Sequence, residues 1–229
     1  MFPPPGLLSR GPDPAREYLA RVGEAGIDHV CCGDHVSFFG LGFDGLLQAT
    51  ALAMLHPVLP VHLGVYLLPL RHPVLVVRQL LDGGAVSFRG TFFDLDEAVQ
   101  RAGRLGDGWL GIWNSPERFA AATALAAEEA ARTARSCPPS RHAMQVWCGL
   151  ADSRQAARAC VAPVMEAFYQ VAFERFERYC PYGTADDVAE FLTRYVAAGC
   201  TEFNLIPQSP DEDQAVAGVA AVKKLLARS

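Results

Sequence analysis

The sequence predicts an α/β protein of the parallel-sheet or (β/α)₈ TIM-barrel type, and three observations carry that expectation. Short β-branched and aliphatic runs alternate with stretches of helical periodicity along most of the 229 residues. The run from Val61 to Leu68, bounded by prolines, reads as a strand buried on both faces. Polar groups then follow where such runs open into loops, as at Gly33-Asp34-His35 and Arg71-His72. An α/β protein builds its site at those strand ends.

In chain order, Leu7 and Leu8 follow a proline-rich opening too short for a strand. Asp13 is placed to cap a helix with Pro14 at its first position; Tyr18, Leu19, Val22 and Ala25 mark one face, and Gly26 stops it. Residues 27–34 read as a buried strand, and a loop of Phe38, Phe39, Gly40, Gly42 and Phe43 leads to Asp44, the cap of a helix over 46–55. The central strand from Val61 ends in Pro-Leu-Arg-His-Pro, and Pro73 opens a helix to about Leu80. Val86, Phe88, Thr91 and Phe93 then alternate about Arg89-Gly90, the pattern of a hairpin.

A short helix over 98–105 precedes a strand over 109–113. Ser115-Pro116 opens a long helix to about Arg135, and 144–148 is a further strand. Helical sequence resumes near Asp152, is interrupted at Pro163 and continues to about Arg178. Thr184 with Asp187 resembles a capping box, 203–206 is the last strand, and Ser209 to Glu212 opens the terminal helix. No repeat or low-complexity linker divides the chain, so one domain over 1–229 is expected. Five clear core strands fall short of the eight in a closed barrel, which typically takes ~250 residues. An abridged barrel is the expectation.

Composition narrows the function. A formal charge of −5 and a pI near 5.7, with no Lys/Arg cluster, speak against a nucleic-acid partner. No apolar run reaches ~18 residues, so no membrane partner is expected. The start, Met1-Phe2-Pro3-Pro4-Pro5, lacks a secretory pattern, and seven cysteines without C-x-x-C spacing suit reduced thiols in a cytoplasm. The histidines show no metal-binding spacing, so no metal is expected, and no G-x-S-x-G elbow indicates a hydrolase.

Several separated segments resemble one family, the luciferase-like monooxygenases, which are oxidoreductases dependent on FMN or coenzyme F420. They are Glu24-Ala25-Gly26-Ile27-Asp28 into Gly33-Asp34-His35, Val65 to Pro73, and Arg104-Leu105-Gly106-Asp107-Gly108-Trp109-Leu110. Tyr182-Gly183-Thr184 into Val188-Ala189, and Ala198-Gly199-Cys200 into Phe203 to Pro207, complete the set in the family's own order. Two joints are shortened, after Arg78-Gln79-Leu80 and after Leu95-Asp96-Glu97-Ala98, and the first strand is curtailed. The resemblance implies a luciferase-like (β/α)₈ fold in abridged form, with FMN or F420 passing a hydride or activating oxygen on a small-molecule substrate. It also implies a homodimer. The shortened joints are where the family carries much of its phosphate grip, so the alternative is a non-catalytic flavin-binding or structural relative.

His35 is the catalytic candidate: it opens a loop from a core strand, its ordinary pKa near ~6.5 suits proton transfer, and the resemblance matches it to a cofactor-contacting histidine. Asp34 either orients it or serves as a turn residue. Gly64, Val65 and Tyr66 match the place where the family carries a bulge, often a non-prolyl cis peptide, behind the cofactor ring. Arg71 and His72 face a ligand or pair with carboxylates. Phe39 stacks on a ring or packs as a cap, and Trp113 with Asn114 borders the same mouth.

Overall fold

The computed structural model describes residues 1–34, 44–66 and 98–228. Within them lie helices α1 (Pro12–Glu24), α2 (Gly45–Leu55), α3 (Ala98–Leu105), α4 (Pro116–Arg132), α5 (Arg154–Tyr169), α6 (Ala185–Ala197) and α7 (Glu212–Leu226). The strands are β1 (Val30–Cys32), β2 (Val61–Leu63), β3 (Leu110–Gly111), β4 (Ala143–Leu150), β5 (Tyr182–Gly183) and β6 (Glu202–Gln208). The helix expected over 73–80 and the hairpin about Arg89-Gly90 lie outside the described residues.

Every strand pairing among the described residues is parallel. β1 lies beside β2 with Cys31 opposite His62, and β4 lies between β3 and β6, with Gln145 opposite Asn204. Two residues at the chain start join these sheets. Met1 sits between His29 and Cys31 on β1, its amine donating to His29 O at 2.7 Å and its carbonyl accepting from Cys31 N at 2.8 Å. Phe2 N donates across to Leu205 O of β6 at 2.8 Å. The spatial order β2, β1, Met1–Phe2, β6, β4, β3 therefore places the first stretch of chain beside the last strand. That is the closure pattern of a (β/α)₈ barrel, with Met1 and Phe2 in the place of a strand. Among the described residues the ring of strands is not closed between β2 and β3.

Side chains alternate across this arc. Val30, Cys32, Met144, Val146, Cys148 and Leu205 face the helices and pack with Tyr18, Leu19, Leu52, Leu192, Tyr195, Val216 and Val222. The opposite, inner face carries His29, Cys31, His62, Gly64, Gln145, Trp147, Asn204 and Ile206. Cys31 and Cys32 thus point opposite ways, both buried, and all seven cysteines are free thiols.

Several boundaries differ from expectation. α1 begins at Pro12 behind Gly11, whose φ of 99° a side chain would resist, so Asp13 lies in the first turn and pairs with Arg16 instead of capping. Pro163 does not break α5; it lies on the exposed side of a helix that runs on to Tyr169. Residues 173–179 form two short 3₁₀ turns instead of continuing the helix to Arg178, and Glu174 and Glu177 there bind Arg158. Asp211, not Ser209, caps α7, accepting from Gln214 N at 2.7 Å. The Thr184–Asp187 capping box is formed in full.

Candidate functional site at the strand ends

β1 delivers Gly33-Asp34 toward α2. Asp34 is fully buried, and its Oδ1 accepts from Gly45 N at 2.8 Å, while Asp44 caps the same helix through Leu47 N at 3.0 Å. Two carboxylates therefore occupy this helix N-terminus, which disfavours an anion there. Asp34 anchors the strand end to α2 just before His35. His35 itself, Phe39, Arg71 and His72 lie outside the described residues.

β2 ends at Gly64, and the Gly64–Val65 peptide bond is cis, as the resemblance implied. A side chain at Gly64 would meet Gln145 Oε1 at 3.1 Å, Asn204 Nδ2 at 3.5 Å and Phe2 Cζ at 3.7 Å, so the glycine admits this close approach. Val65 is largely exposed and Tyr66 half-buried beyond it.

The inner face around Gly64 is polar. His29 Nε2 and Asn204 Oδ1 lie 2.8 Å apart, and the His29 ring stacks on His62 with centroids 4.0 Å apart. Asn204 Oδ1 can only accept, so His29 carries its proton on Nε2. Burial, then the nearby chain-start ammonium, holds the His29 pKa down at about 4; burial also lowers that of His62. Both rings are neutral near pH 7. Gln145 Oε1 is buried and finds no hydrogen-bond donor among the described residues. These four polar residues escaped the sequence reading because they are scattered over 175 positions; the available signal was polar side chains interrupting strands otherwise apolar.

Toward the C-terminal ends of β3 and β4 the lining turns aromatic. Trp147 follows Gln145 by two residues on the same face, and its Nε1 donates to Tyr169 OH at 3.0 Å. Trp113, with a left-handed φ of 56°, packs against Phe176 at 4.8 Å and Tyr169 at 5.5 Å. Asn114 is turned to the backbone: its Nδ2 donates to Ile112 O at 2.8 Å and its carbonyl accepts from Tyr195 OH at 2.6 Å. Gly64, Gln145, Trp147 and Trp113 thus mark successive levels of one wall.

A cavity of about 750 Å³ opens at the other pole, by the strand N-terminal ends, where the His29–His62 stack forms part of its lining with Ile27, Phe203, Val219 and Leu226. Its charges are already spent, Arg141 on Glu202 and Lys223 on Asp28, each at 2.6 Å. It lies away from the strand ends where such folds carry chemistry. Among the described residues no group of three or more His, Cys, Asp or Glu side chains converges on a metal position, and no helix is long and apolar enough to cross a membrane.

Solved structures supply the comparison. An F420-dependent secondary alcohol dehydrogenase, in complex with an F420–acetone adduct, aligns at TM-score 0.68 and 17% identity, over 94% of this chain and 95% of that one. The monooxygenase RslO1 from Streptomyces bottropensis aligns at 0.68 and 17%, over 96% and 95%. The oxygenating constituent of 3,6-diketocamphane monooxygenase, a type II Baeyer–Villiger enzyme from the CAM plasmid of Pseudomonas putida in complex with FMN, aligns at 0.57 and 13%, over 93% of each. No family profile and no curated protein matches the chain. The likeness extends over nearly the whole chain, and the fold is the luciferase-like α/β barrel type.

Proposed function

We propose that the chain is an oxidoreductase that uses a flavin-type cofactor, FMN or F420, on a small organic substrate. The observation that carries this reading, beside the fold, is the orphaned acceptor at Gln145 Oε1 next to Gly64. A buried acceptor without a donor costs about 1–3 kcal/mol. The imide N–H shared by the rings of both cofactors is a donor of the required kind, so the inner face fits that group chemically.

In this reading Gly64 and Val65 back the ring, Tyr66, Trp113 and Asn114 border its mouth, and Asp34 fixes the loop origin so that His35 can hold or move a proton. Phe39 would stack on the ring, and Arg71 and His72 would face the ligand. The cofactor, when bound, supplies the redox chemistry; the protein supplies orientation, dryness and proton placement.

The test is direct. Purified chain quenches the fluorescence of added FMN or F420 at micromolar concentration, and His35→Ala lowers turnover about 100-fold or more with an unchanged circular dichroism spectrum. Absence of binding to either cofactor at millimolar concentration would remove the reading.

One observation favours a second reading, a non-catalytic or structural relative that lacks the phosphate grip. The N-termini of α2, α6 and α7 all carry aspartates in or beside the first turn, which disfavours a phosphate at each of these three. Weak cofactor retention with no turnover under any reductant would select it.

A further inference from the structure

Resting on the flavin-type reading above, we propose that the substrate is a planar aromatic molecule seated against Trp113, Tyr169 and Phe176. Three half-buried rings converge there, with Tyr169 and Phe176 centroids 5.0 Å apart and Trp113 within 5.5 Å of both. Trp113 joins them from a left-handed backbone conformation that a bulky residue rarely adopts, and such outliers gather at ligand sites. The cluster is continuous with the cofactor wall, because Tyr169 OH accepts from the indole of Trp147, which stands one level above Gln145.

The wall selects by ring chemistry. An aliphatic ligand would bury the same area, but each tilted or edge-on ring pairing favours an aromatic partner about 2- to 10-fold further.

The experiment titrates the full chain with 2-naphthol and with decahydro-2-naphthol, its saturated counterpart, by calorimetry. Each titration is run with and without FMN and F420. At least tenfold tighter binding of 2-naphthol is expected, reduced at least tenfold by Trp113→Ala and left unchanged by Trp109→Phe, whose ring packs on Phe119 on the helix side. Phe176→Leu serves as a second variant should Trp113→Ala fail to fold, with the same direction expected. Equal affinity for the two probes, no binding, or an affinity indifferent to these changes overturns the proposal. Discrimination between probes without cofactor binding would uphold the aromatic wall and sink the flavin reading; cofactor binding without discrimination would do the reverse.

Discussion

Gln145 carries an unmet hydrogen-bond demand among the described residues. Its carboxamide oxygen is buried without a donor beside the bare Cα of Gly64. Gln145→Met keeps the volume and removes the unmet demand, so a thermal melt should show unchanged or higher stability, by up to about 1–3 kcal/mol. FMN or F420 affinity should fall about tenfold in the same variant. Lower stability with intact affinity would make Gln145 a structural residue. His29 behaves oppositely with pH. Its folded pKa of about 4 lies below the unfolded value near ~6.5. The unfolded chain therefore binds the proton first, and stability is lost as pH falls through the window from about 6.5 to about 4. Denaturation midpoints measured across that window should decline, and the decline should flatten in His29→Gln.

At the scale of elements, α6 is held by its start and by its buried face. Thr184 Oγ1 accepts from Asp187 N, and Asp187 Oδ2 accepts from Thr184 N at 2.8 Å and from Thr184 Oγ1 at 2.9 Å; the two bonds to the carboxylate hold it below the usual range. Thr184→Ala should cost about 0.5–2 kcal/mol in urea titration. Leu192→Ala, fully buried on the same helix, should cost about 2–5 kcal/mol. Tyr195 adds a tether of a different kind, its hydroxyl holding the backbone of Asn114 beside the aromatic wall. A helix on the outer layer thereby fixes the strand end at which Trp113 begins.

For the molecule as a whole, the join between first and last strands rests on Met1 and Phe2. Phe2→Pro removes the N–H that reaches Leu205 O. Hydrogen exchange should then rise first along β6 and β1, with a lower melting temperature; protection unchanged at those strands would show that the join is dispensable. The expected homodimer belongs to this scale as a proposal. On α2 and the turn after it, Leu47, Met54 and Val58 are 62%, 80% and 84% exposed, apolar surface of the kind that a second copy covers. Sedimentation at micromolar concentration should give twice the mass of the chain, and Met54→Lys should halve it.

The sequence by itself determined the alternation of strands and helices, the cap of α2 at Asp44 and the capping box of Thr184 with Asp187. Each is written in neighbouring residues, because caps and periodicity act over a few positions. Tertiary structure alone decided that two residues at the chain start close the arc, that Asp34 spends its carboxylate on α2, and that His29, Gln145 and Asn204 share one face. It also turned Trp113 into an aromatic wall with Tyr169 and Phe176. These depend on contacts across tens to nearly two hundred residues, and a strand's inward face is chosen only when its partners set the register.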